Sequence, residues 1–98
     1  MFTGTVALDL LLGDIHSLKE KRSVVRPIVA ELRRTFKCAA AEAGHLDLHR
    51  RALIGVAVVA AQAAHCQEVL DDAIRLVEGH PEITVLASRQ RLYGLEDE

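Results

Sequence analysis

The chain has 98 residues, 50% of them hydrophobic but only 3% aromatic, and a formal net charge of −2. Near-neutral charge excludes bulk coating of nucleic acid. The longest apolar run, 52–64, is broken by Gln62 and falls short of the roughly 20 residues a bilayer requires, so no membrane span is expected. A chain of this size forms one domain, here 1–98, that buries about 60–65% of its unfolded surface around a core of Val, Leu, Ile and Ala.

Phe2 to Leu12 places Val6, Leu8, Leu10 and Leu12 at period two, which predicts a strand with one inner face. After a turn at Gly13-Asp14-Ile15-His16, Ser17 followed three residues later by Glu20 fits a capping box. From Leu18 the apolar positions Val25, Val29, Leu32 and Phe36, broadened by Val24 and Ile28, predict a helix of about five turns. Pro27 inside it removes one amide donor and predicts a kink.

Lys37 to Gly44 predicts a short, Ala-rich second strand, and a polar loop follows. Ala52 to Ala60 is apolar on both faces, the pattern of a central strand. Ala63 to Glu78 carries a second helical stripe at Cys66, Val69, Leu70, Ala73, Leu76 and Val77, poorly capped at Ala61-Gln62 and stopped by Gly79-His80-Pro81. Glu82 to Leu92 returns as a strand with Ile83, Val85 and Ala87 expected on one side.

This order is the split βαβ pattern of a ferredoxin-like βαββαβ sandwich, an α+β fold with a four-stranded antiparallel sheet and two helices on one face. The other face then stays open, lined in the third strand by residues such as Leu53 or Ile54, Ala57 and Val58. An open apolar patch of this kind predicts a homodimer or a docked partner.

Charge is distributed unevenly. From Ser17 to Lys37 seven basic residues (Lys19, Lys21, Arg22, Arg26, Arg33, Arg34, Lys37) face two acids, a net +5, whereas His65 to Glu82 carries five acids against Arg75, a net −4. Helix amino termini favour acids, so cations crowded into this first turn break a local rule, as functional sites do. At 100° per residue from Leu18, Arg22 falls at about 40°, Arg33 at about 60°, Arg26 at about 80°, and Lys19 and Lys37 at about 100°. Glu20 and Glu31 lie on the far side, at about 200° and 220°. Lys19, Lys21, Arg22, Arg26, Arg33 and Lys37 are therefore the candidate anion- or RNA-binding residues, with free helix amides as a further contribution. The alternative is a solvated helix face with Arg stems lying over the sheet edge.

The loop residues His45, Asp47, Arg50 and Arg51 are secondary candidates. His45-x-Asp47-x-His49 would project three ligands to one side if extended, but spacing alone does not make a zinc site, and hydrogen-bonded loop anchoring is the simpler reading. His65 and Cys66 are helix neighbours that point apart, and Cys66 falls on the core stripe. Neither a catalytic residue nor a metal or cofactor is expected, since the six glycines are scattered singly and form no phosphate loop. The central strands lack the aromatics on which an RRM-type sheet stacks bases. Acylphosphatase chemistry on this fold class needs an Asn, and the sequence has none. Two cysteines in apolar segments, and a chain that opens as a strand rather than a leader, indicate reduced thiols and a cytoplasmic location.

The residues Ser17-Leu18-Lys19-Glu20-Lys21-Arg22, the run Ala41-Glu42-Ala43-Gly44-His45-Leu46-Asp47-Leu48, Arg51-Ala52 and Gly55-Val56-Ala57-Val58-Val59 together resemble the YlxP-like family of small bacterial proteins, a domain of unknown function. The resemblance implies the ferredoxin-like fold reached above from element order. It also implies a translation context, because family members often sit in operons beside initiation factor two and ribosome-binding factor A. The expectation is a non-catalytic module that binds RNA or a ribosomal component through the basic helix flank. The competing expectation is a protein-interaction module that dimerises or docks through the open sheet face, and a small-anion sensor comes third.

Overall fold

A computed structural model describes residues 1–95 and orders the elements as β1 (Phe2–Leu12), α1 (Leu18–Phe36), β2 (Ala39–Gly44), β3 (Arg51–Ala60), α2 (Ala63–Glu78) and β4 (Ile83–Gly94). The strands form one antiparallel sheet in the order β2-β3-β1-β4, so the two most apolar strands are central, as the ferredoxin-like pattern requires.

Period-two alternation sends Val6, Leu8, Leu10 and Leu12 of β1 and Ala52, Ile54, Val56 and Val58 of β3 into the same buried layer. Val25, Ile28, Val29 and Leu32 of α1 and Cys66, Leu70, Ala73 and Val77 of α2 close over them. Both helices thus cover one face. The open face is lined by the alternate residues Leu53, Gly55, Ala57 and Val59, so the expected Ile54 and Val58 belong to the core instead.

Gly4 is where α2 lies closest to β1: a Cβ there would sit 2.7 Å from Cys66 Sγ and 2.8 Å from Leu70 Cδ1. The missing side chain lets the helix seat on the sheet. Burial raises the pKa of the Cys66 thiol, consistent with a small apolar filler.

α1 runs unbroken through Pro27. Its cap differs from a reciprocal box. Ser17 Oγ accepts from the Glu20 amide at 3.1 Å, but the Glu20 carboxylate returns to the amide of His16 at 2.9 Å, one residue before the cap. The helix ends on Lys37, whose left-handed φ of 51° makes it the C-cap, so the second strand starts at Ala39. In β4 the pairing slips between Asp9↔Ala87 and Leu10↔Val85, leaving Leu86 as the extra residue of a bulge. The bulge inverts the alternation, so Ile83 and Val85 face the helices while Ala87 faces outward.

Candidate anion-binding surface

Lys19, Arg22 and Arg26 are exposed along one flank of α1 and line, with Ser23 and Pro27, a shallow groove. The helix period puts them in register. Among the described residues no carboxylate pairs with any of them. Glu20, the acid nearest in sequence, is committed to His16. Arg34 is also exposed, with no carboxylate partner among the described residues.

Arg33 leaves this flank in a specific direction. Its Nε donates to the carbonyl of Ala40 in the edge strand β2 at 2.8 Å, so the guanidinium is held against the sheet margin while its two terminal nitrogens have no partner among the described residues. Lys37 caps α1 and remains exposed at the same end.

Lys21 does not belong to this surface. It is 1% exposed, and its Nζ lies 2.7 Å from Glu42 Oε2 while donating to the carbonyl of His45, also at 2.7 Å. A buried ammonium needs such compensation. Its role is to tie the first turn of α1 to the β2–β3 loop, and its buried ammonium, unlike the expected anion contact, presents no surface to a ligand.

His45, Arg50 and Arg51 also make structural contacts. His45 takes a left-handed φ of 56°, and its Nε2 lies 3.3 Å from Asp9 Oδ1 on the open sheet face. Arg51 grips both oxygens of Asp9, at 2.7 and 2.8 Å. The hydrogen bond from Arg51, aided by the charges of Arg51 and His45, holds the Asp9 carboxyl below its ordinary pKa against the opposing effect of burial. Arg50 Nε donates to the carbonyls of Leu12 and Gly13 at 3.2 and 2.9 Å and fastens the loop to the end of β1. Asp47 and His49 are exposed, with no side-chain partner among the described residues. A turn closed by the Leu48 amide on the His45 carbonyl replaces the extended run a three-ligand site would need. Among the described residues no group of three or more metal-ligating side chains comes together.

Two cations escaped the sequence reading. Arg91 pairs in register with Thr5, and Arg89 with Ala7, which puts both on the open face with Tyr93. Arg91 donates to Tyr93 Oη at 3.0 Å, and this hydrogen bond raises the Arg91 pKa further. The alternation Arg89-x-Arg91-x-Tyr93 was the signal available for a shared face.

Fold and surface together define a ferredoxin-like α+β domain with an unpaired cationic helix flank and an uncovered sheet face. Residues 3–90 match the family model described as "Protein of unknown function (DUF503)", and the chain belongs to that family. It is 28% identical over 80 residues to the uncharacterized protein YlxP of Bacillus subtilis (strain 168), covering 82% of this chain and 87% of that one.

Proposed function

We propose that this protein is a non-catalytic cytoplasmic module that binds RNA, or an RNA surface of the ribosome, through the phosphate backbone. The observation that carries the reading is the flank of Lys19, Arg22 and Arg26, continued by Arg33. These are exposed cations that no described carboxylate neutralises, on a protein whose overall charge is negative. Surface cations of purely structural use are normally interspersed with acids. Here they are segregated, which is what attracts a polyanion.

Self-association through the open face is the weaker reading. Among the described residues Asp9 is the acid of that face and Arg51 already holds it, whereas Arg89 and Arg91 are unpaired by any carboxylate. Two copies stacked face to face would set like charges against each other.

The test is equilibrium binding of a labelled RNA at several salt concentrations. Lys19→Glu with Arg22→Glu should weaken binding at least about tenfold and flatten the slope of log affinity against log salt by about 1.4–1.8, for two lost phosphate contacts. The far-ultraviolet circular dichroism should be unchanged. A folded double variant with wild-type affinity and slope rejects the reading.

A further inference from the structure

Three hollows on the surface are neighbours, and each adjoining pair shares a cation in its lining. The α1 groove at Lys19, Arg22 and Arg26 shares Arg26 with a second groove between α1 and the edge of β2, lined also by Val29, Ala30, Arg33, Ala41 and Glu42, whose carboxylate is held by Lys21. That groove shares Arg33 and Ala41 with a third hollow of about 500 Å³, floored by Thr5, Ala39, Gly55 and Ala57 on the open sheet face. Thr5 in turn stands beside Arg91, its register partner in β4.

We propose that the RNA bound by this protein is single-stranded. It follows this track from the α1 flank, over the β2 edge at Arg33, and across the open sheet face to Arg91 and Arg89. The inference rests on the RNA-binding reading above and adds the form of the RNA and its path. A strand turning from the helix layer to the sheet layer must bend around one margin of a molecule whose extents are 45 × 24 × 18 Å. A single strand does so; a duplex, stiff over about 50 nm in the case of DNA and with its bases turned inward, can lie along α1 or across the sheet but cannot follow both. Arg33 is the pivot because the Ala40 carbonyl fixes it at the margin with its terminal nitrogens free for a phosphate. Small residues on the floor leave room for unstacked rings, and Tyr93 is the one aromatic aligned with it, so bases are accommodated rather than read.

Fluorescence anisotropy decides it, with a labelled single-stranded RNA of about 12 nucleotides, inside the range of about 4–16 typical of sheet-based single-strand modules, and the same strand annealed to its complement. Two open-face variants are used. Arg89→Ser with Arg91→Ser removes the far cations. Gly55→Val puts a side chain into the third hollow at a position where an added Cβ meets only Ala43 Cβ, at 3.5 Å, an ordinary van der Waals contact, and circular dichroism checks that the variant is folded. The single strand should bind at least about fivefold more tightly than the duplex, and each variant should weaken the single strand about fivefold while leaving the duplex unchanged. Equal affinity for the two forms, or wild-type single-strand affinity in both variants while Lys19→Glu with Arg22→Glu fails to bind, overturns the track and leaves RNA binding standing. Failure of the wild-type protein to bind either RNA at low salt overturns both.

Discussion

Lys21 shows how one side chain can change sides of an interpretation. An ammonium that is 1% exposed, with a carboxylate and a carbonyl each at 2.7 Å, makes its contribution through the pair rather than alone. Removing one partner leaves the other buried and uncompensated, at a cost of about 3–5 kcal/mol for a fully buried pair. Glu42 keeps 21% of its side-chain exposure, which places Lys21→Met at the lower end, about 3 kcal/mol. Urea denaturation should report that loss, and Lys21→Met combined with Glu42→Leu should recover most of it. RNA affinity of the folded Lys21→Met protein should equal wild type; a large drop would return Lys21 to the anion surface. The helical wheel already contained this answer. It sets Lys21 at about 300°, between Ile28 at about 280° and Leu32 at about 320°, in the middle of the buried arc. Charge type concealed it, because a lysine on an apolar stripe signals a buried pair only once its partner is known, and Glu42 lies in a different element.

At the scale of elements, strand and helix order was readable because β1 and both helices follow their own apolar periods, Ser17 caps α1, and Gly79-His80-Pro81 stops α2. The face of β4 beyond Leu86 was not, since a bulge is set by the fit of β4 to β1 and leaves no local mark in Val85-Leu86-Ala87. The seating of α2 on β1 was equally hidden, because a glycine in a strand does not announce what approaches it. Gly4→Ala tests that contact. An alanine in a strand ordinarily stabilises by restricting the unfolded chain. Here its Cβ would be 2.7 Å from Cys66 Sγ, so the sign reverses and about 1–3 kcal/mol of stability should be lost. Adding Cys66→Ala should restore part of the loss, because removing the sulfur vacates the contact. Strictly additive effects in the double variant would mean that the helix shifts away rather than packing tightly there.

For the whole molecule the governing feature is charge separated onto two helices of the same layer. The α1 flank carries its unpaired cations, whereas α2 exposes Glu68 and Glu78, which have no partner among the described residues. Because the net charge is −2, a polyanion approaching the α2 side is repelled while one approaching α1 is drawn in, so the separation orients the encounter as well as holding the complex. Neutralising the repelling side should therefore speed association without touching the binding track. Glu68→Gln with Glu78→Gln should raise the association rate for RNA a few-fold near 0.01 M salt, where the screening length is about 30 Å and the far side of the molecule is felt. Near 0.15 M, where the length falls to about 8 Å, the rates of variant and wild type should converge, with dissociation unchanged at both concentrations. Stopped-flow anisotropy measures both rates. A rate gain that persists at the higher salt, or a slower dissociation, would place RNA in direct contact with α2 and would require a different path from the one running over Arg33.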